Sequence, residues 1–487
     1  MSLIPGIRAI RTAGRHQNVP EYSTDVNFIV GAADRGDVNE VFAGNAESIY
    51  RRYGAGDLVN FVHRANLNGA NNFRVVRVLG ASPIRASKAV TKSAAETGKL
   101  TAKDVGTYGN SLDFKLVSHI TGELVLYVRY KGTLLPNGII GGIKDGDTLK
   151  SKLENHPVLS NWIYYAKTNN NLPDEVTSWT LLTSGSNGGT LANSDVIGSY
   201  DSTTGARTGL QLALTEQSWS NIAAASFEGD AAVNAALVTV CSGRGRGRTI
   251  ITHTEALSDA QIKTAADAID APDGCAAMYA GWYESYTQPG VFVSPVAALI
   301  GILSRNEVFE SPSNQAIMDA VALKSEKDTA QIDDFLNHKV NVVARGFTRE
   351  TGTHIKTFHS LSLTSDTDIT EIQYRGVYDQ IANELNSAVQ FSVSKPNTSL
   401  LRDMVQDAAE LVKTRCMNSR SRWATSIVED MWVQCNDQNN QEADKKAKRL
   451  FLDWAIKPID AAHYINVRGT ITSGGVNFER QLSEVIV

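Results

Sequence analysis

Gly243–Arg248 (GRGRGR) is the run whose residue types most readily suggest chemistry. Its glycines free the backbone amides and its guanidiniums add charge, a combination that could cradle an anion and that equally suits a solvated loop. It lacks the glycine spacing of a dinucleotide fingerprint. Gly98-Lys99-Leu100 lacks both the Ser or Thr and the preceding strand that a phosphate-binding loop needs. Ser184-Gly185-Ser186-Asn187 has the wrong order for a nucleophile elbow. His354 and His359 fit neither helical metal-ligand spacing nor one face of a strand. Asp333-Asp334 sits in polar helical surroundings, as a solvated face does, not an acid/base pair. Asn397-Thr398-Ser399 matches a glycan sequon, too short a pattern to carry an argument. Cys241, Cys275, Cys416 and Cys435 show no Cys-x-x-Cys spacing. They read as reduced, buried thiols, with disulfides between subunits in an oxidising medium as the other reading. No catalytic residue, metal ligand or cofactor-binding residue is assigned, and a structural role is expected.

The elements that would position such residues alternate in type. Asp25–Ala33 predicts a buried strand with Gly31 marking a turn or close approach, and Asn72–Leu79 a second strand. Ala46–Tyr53 has a short amphipathic helical pattern. Residues 84–103, rich in Ala, Ser, Thr and Lys, read as a connector. Leu112, Phe114 and Leu116 then alternate with Asp113, Lys115 and Val117, and after a Thr121-Gly122 turn Leu124–Tyr130 completes a hairpin. The glycine-rich residues 131–146 read as loops, Asp147–Leu159 as a helix, Trp162–Ala166 as a strand and Leu181–Thr190 as a Gly/Ser loop. Ala232–Val240, Cys275–Tyr279 and Val291–Ile302 are buried segments. Ser258 with Gln261 forms a capping box opening a helix. Two amphipathic helices follow: Tyr374–Phe391, and Leu400–Val412 with Leu401, Met404, Val405, Ala408 and Leu411 on one face. Arg449–Ile456 and His463–Thr470 read as strands. The fold class expected is mixed α/β in several domains.

Both ends of the chain differ from ordinary polar tails. Leu3, Ile4, Ile7 and Ile10 precede a polar hinge at Pro20. Gly474 and Gly475 precede Val476, Phe478, Leu482, Val485 and Ile486. A β-forming segment behind a flexible hinge is the makeup of an arm that adds a strand to a sheet. At 487 residues several domains are expected, and 42% apolar with 20% charged residues is ordinary globular composition. A net charge of −5 argues against a protein driven onto nucleic acid by phosphate contacts. The longest apolar stretch, Gly290–Leu303, is broken by Ser294-Pro295 and too short to span a bilayer, and Arg8 and Arg11 around a broken apolar run do not make a signal peptide.

In order along the chain, several local patterns resemble the contractile tail sheath proteins of bacteriophages and related injection machines. They are Pro5-Gly6-Ile7, Val26–Ala33 with Asp34-Arg35-Gly36, Tyr50–Gly54, Gly106–Asn110 running into Ser111–Phe114, and Leu181–Gly189. Tyr279–Trp282, Pro295, Gly301, Ser304–Asn306 and Ser311–Asn314 follow, then Asn341–Val343, Arg375, Pro396-Asn397 and Val433–Asn440. The resemblance spans essentially the whole chain.

It implies an N-terminal arm (1–20), a core (21–90), an inserted β-rich outer domain (91–195), a middle α/β domain (196–350), a C-terminal core with tube-facing helices (351–473) and a C-terminal arm (474–487). It further implies a homo-oligomer of stacked sixfold rings around a tail tube protein, with baseplate and tail terminator proteins as partners, no direct nucleic acid and no membrane insertion. Such a subunit belongs to the virion tail, and to the host cytoplasm during assembly. Contraction drives the tube through the host envelope in genome delivery. Lys413, Arg415, Arg420 and Arg422 are a candidate basic patch toward an acidic tube. The alternatives are the sheath of a related injection or secretion system, and an α/β enzyme using Gly243–Gly247 as an anion loop.

Overall fold

A strand that is apolar at consecutive positions must be covered on both faces, and every residue of Val26–Gly31 (β1) is buried. In the computed structural model, which describes residues 26–119, 122–216, 218–348, 352–418 and 426–461, β1 lies inside an eight-stranded sheet. The other strands are Val41–Gly44 (β2), Asn72–Arg77 (β3), Asn221–Ala224 (β4), Arg248–Ile251 (β5), Ala276–Ala280 (β6), Val340–Thr348 (β7) and Gly352–Phe358 (β8). Their order is β8-β7-β6-β5-β4-β1-β3-β2. The inner strands run parallel, and β2 and β8 close the edges antiparallel. Phe28 and Val30 face a layer containing Trp219 and helix Ala231–Arg244. Ile29 faces the opposite layer, with helices Asp57–Leu67 and Val296–Arg305. The apolar run expected at 291–302 thus divides at Pro295 into a two-residue strand and that second helix.

Asn27, Asn221 and Arg248 stand in register near the amino ends of β1, β4 and β5. Asn221 donates to Oδ1 of Asn27 at 2.8 Å, and Nε of Arg248 donates to Oδ1 of Asn221 at 2.8 Å. Buried amides demand such partners, and the ladder carries hydrogen bonding across three strands.

The chain between β3 and β4 builds a β-rich unit with its own core, drawn from residues between Ala86 and Leu182. Two expectations fail here. Residues 84–103 are not a connector: Ser87–Lys92 and Ala95–Ala102 pair as a hairpin. Its turn residues, Ser93 and Ala94, take positive φ without a glycine, so the usual turn signal is missing. Residues 131–146 are not loops either. Thr133–Ile143 is the outermost strand of a four-stranded sheet, irregular in register, and its glycines follow that irregularity. At Gly138 a Cβ would stand 2.6 Å from the Val128 carbonyl.

Arg77, fully buried, ties this unit to the sheet. It donates to the carbonyls of Ala33, Asp34, Gly36 and Val105 at 2.7–3.0 Å. Asp104 completes the joint, accepting from Gly36 N at 2.9 Å and pairing with Arg52 at 3.2 Å. Burial holds the Arg77 guanidinium down at about 10, still charged at neutral pH.

Past the carboxyl end of β4, Glu228 pairs with Arg64 at 3.1 Å and accepts from the Ser294 hydroxyl. Burial outweighs the Arg64 charge and pushes the Glu228 carboxyl up to about 7. A carboxyl raised on folding contributes stability that is full below its unfolded value and lost as pH rises through its folded one. Wild type should therefore lose about 3 kcal/mol from this group between pH 4.5 and 8. Glu228→Gln keeps an acceptor and removes the titration. Its unfolding free energy should be flatter across that range, and a slope identical to wild type in denaturant melts would count against the assignment.

Candidate interaction surface

Beyond β8 the chain forms a lobe from two helices and a small sheet. Helices Ile372–Val389 and Ser399–Met417 pack together, with Val377, Ile381, Leu385, Ala409, Val412 and Cys416 in their shared core. The second helix begins at Thr398, whose hydroxyl accepts from Leu401 N at 3.2 Å. Strands Val428–Gln434 and Asp453–Pro458 pair antiparallel, with Met431 opposite Ile456 and Val433 opposite Trp454. Val428, Met431 and Val433 press on the helices, while Trp432 is 49% exposed. The strand expected from Arg449 begins at Asp453, because the preceding residues belong to a loop held by asparagine side chains. Asn440, fully buried, accepts from Phe451 N at 2.7 Å and donates to its carbonyl at 2.9 Å.

The two-stranded sheet is the feature that asks for a partner. Each strand has one neighbour among the described residues, so each offers an outer row of backbone donors and acceptors. A two-stranded ribbon is marginal unless packed or extended. Here one face is packed, the Gln406 amide bonds the Val433 carbonyl and the Cys435 amide at the rim of the first strand, and Asp453–Pro458 has no second strand beside it among the described residues.

A buried charge network fastens the lobe to the sheet. Nε of Arg375 lies 3.1 Å from Oδ1 of Asp379, a charge contact more than a directed hydrogen bond. Oδ2 of Asp379 accepts from Gly247 N at 2.7 Å. Arg246 donates to Asn383, and a Cβ on Gly376 would stand 2.4 Å from the Arg248 guanidinium. Burial raises the Asp379 carboxyl against the opposing pull of Arg375.

Gly243–Arg248 is a helix end and the turn after it, exposed at Gly243 and Gly245 but with its arginines in internal contacts. Arg244 stacks on Trp219 with its guanidinium carbon 4.1 Å from the ring centroid. Gly247 takes φ +90° with Trp219 so close that a Cβ would be 2.2 Å away. Arg248 is buried in the polar ladder. Arg244 is held within the core, while Arg246 and Arg248 reach the lobe at Asn383 and Gly376.

The arm residues Leu3, Ile4, Ile7, Ile10, Val476, Phe478, Leu482, Val485 and Ile486, and the hinges Pro20, Gly474 and Gly475, lie outside the described residues, as does the strand expected at 463–470. So do Arg420 and Arg422 of the basic patch. Its described members are already paired: Lys413 lies 3.4 Å from Glu410, and Arg415 bonds Glu384. Met404 and Leu411, expected on the buried face of the helix, are 47% and 68% exposed. They form a second apolar stripe with Leu400, about 100° around the helix from Leu401 and Val405. The four cysteines are buried and unbridged, and burial holds Cys241, Cys275 and Cys416 above the usual thiol range. The signal for the open sheet was present in the spacing of Val428, Met431 and Val433, interrupted by a bulge at Glu429.

The sequence matches no family model and no curated relative. Solved structures do match. A sheath tail protein of Desulfitobacterium hafniense superposes at a TM-score of 0.61 with 15% identity, over 89% of this chain and 93% of that one. One of Listeria innocua gives a TM-score of 0.62 at 14% identity, over 90% and 93%. The contracted sheath of an extracellular contractile injection system gives 0.56 at 11% identity, over 96% and 98%. The chain has the fold of contractile sheath proteins, a mixed α/β fold, over nearly its full length.

Proposed function

We propose that this chain is the structural subunit of a contractile sheath, not an enzyme. Copies assemble as stacked sixfold rings around an inner tail tube, between a baseplate and a tail terminator. Contraction drives the tube through the envelope of the target cell. In a phage the sheath belongs to the virion tail, is built in the host cytoplasm and serves genome delivery.

The observation that carries this reading is the likeness in fold to sheath proteins, which covers 96% of the chain against a contracted sheath. The two-stranded sheet of the lobe, each strand with one neighbouring strand among the described residues, supports it. Residues 1–20 and 474–487 supply strand-forming segments, and strands Val428–Gln434 and Asp453–Pro458 supply edges for a neighbour's arms. The buried joints at Arg77 and Arg375 keep the bodies between those links rigid. Energy stored as the extended sheath assembles needs no nucleotide. The sheath of an injection system is the second reading, favoured by the likeness to such a sheath. The internal contacts of Arg244, Arg246 and Arg248 weigh against the enzyme alternative at this loop.

Electron microscopy of the purified chain tests the proposal. Sheath subunits concentrated without a tube should build hollow helical tubes of uniform diameter with sixfold symmetry. A chain that stays monomeric at high concentration and low salt would end the reading.

A further inference from the structure

A cavity of about 1190 Å³ opens beside the start of strand Asp453–Pro458, between the two lobe helices and the loop at 445–452. Its floor is apolar, with Leu385, Val389, Leu401 and Trp454 among the lining residues. Its charge is one-sided. Arg246, Lys395, Lys445, Lys448 and Arg449 line it, and no carboxylate does. Arg246 is held by Asn383 and Lys445 by Asp437 and Glu442. Lys395, Lys448 and Arg449 have no ion pair among the described residues, in a chain whose net charge is −5.

The same lobe carries a complementary surface. On helix Ser399–Met417, Leu400 (67% exposed), Met404 and Leu411 make an apolar stripe about 16 Å long. Asp403 and Asp407, both exposed, lie on the same face without an ion pair among the described residues. Apolar anchors at such spacing between carboxylates are what a helix lays into an apolar groove, and this groove is rimmed with cations.

We infer that the Leu400–Leu411 face of one copy docks in the Lys395/Arg449 cleft of the next. The face points about 100° around the helix from the cleft-lining Leu401 and Val405, so one copy cannot join its own two surfaces. The contact is heterologous: each docked copy still presents a free face and a free cleft. Such contacts propagate as rings or helices rather than closing as twofold dimers. The inference rests on the reading that copies of this chain assemble, and adds a helix-in-cleft contact to the shared strands.

Charge reversal in the full-length chain tests it. Lys395→Glu/Arg449→Glu makes the cleft acidic, and Asp403→Lys/Asp407→Lys makes the face basic. All four side chains are at the surface, and circular dichroism melts matching wild type will show that the fold is intact. Each double variant alone should need at least tenfold more protein than wild type to sediment as polymer. Mixed one to one they should assemble again at wild-type concentration, because each cleft then meets a face of opposite charge. Single variants that polymerise like wild type would overturn the inference, and so would a mixture that does not recover. Wild-type tubes beside unaffected variants would sink this contact alone, whereas wild type that never polymerises would sink the functional reading.

Discussion

Asp379→Ala should destabilise the chain by about 3–5 kcal/mol, the range for removing one partner of a buried ion pair. Arg375 would keep its charge with 2% of its side chain exposed, facing only Asp273, which lies 3.5 Å away and is itself 64% exposed. The Gly247 amide would lose its acceptor as well. Because these groups link helix Ile372–Val389 to the loop before β5, the loss should be regional. The lobe should open before the sheet does, seen as early hydrogen exchange across residues 372–461 with protection kept in β1, β4 and β5. Asp379→Asn retains an acceptor for Gly247 and should cost less. Replacing both partners with apolar residues, Arg375→Met with Asp379→Leu, should recover much of the loss, because it removes the stranded charge. A cost below about 1 kcal/mol for Asp379→Ala would mean that water already reaches this network and that the lobe is held by apolar packing alone.

How much of this was legible in the sequence follows from which forces act locally. β1, β3, helix Ala46–Tyr53, the capping box at Ser258 and the hairpin of the β-rich unit were visible because each carries its own period or cap. The hairpin at Ser93-Ala94 and the strand Thr133–Ile143 were not. Their turn and register are imposed by neighbouring strands, against local propensity. The arginine loop shows the limit for sites. Alternating Gly and Arg announces an anion cradle or a solvated loop, and nothing nearby says that Trp219 and Asp379 will arrive to use each residue. The helix at 399–417 shows a subtler case. Its apolar residues serve two faces, one internal and one exposed, and a pattern read as a single stripe conceals the second. The resemblance to sheath proteins, spread over many weak motifs, anticipated a fold that sequence matching alone does not reach.

A chain ending at Gly475 should fold as the full chain does and build no extended sheath. Its described core draws on residues from Val26 to Ile456, so the melting temperature should be unchanged. The loss falls on the links. Ordering a twelve-residue arm costs about 18 kcal/mol in backbone freedom at about 1.5 kcal/mol per residue. Burying Val476, Phe478, Leu482, Val485 and Ile486 returns about 10 kcal/mol, and a ladder of about ten hydrogen bonds returns about 10 more at 1 kcal/mol net each. One link is therefore close to neutral by itself, and only many links closing together make a lattice firm. That balance suits a joint that must stay connected while the bodies on either side rotate, since a marginal link can bend without a deep well to escape. It also makes assembly steeply sensitive to the arm: removing a near-neutral link from every copy removes the whole cooperative gain. Electron microscopy of the truncated chain, mixed with tube and baseplate, decides the matter. Extended sheaths of normal length would show that residues 476–487 are not shared between copies, and would leave the open edges at Val428–Gln434 and Asp453–Pro458 to a different partner.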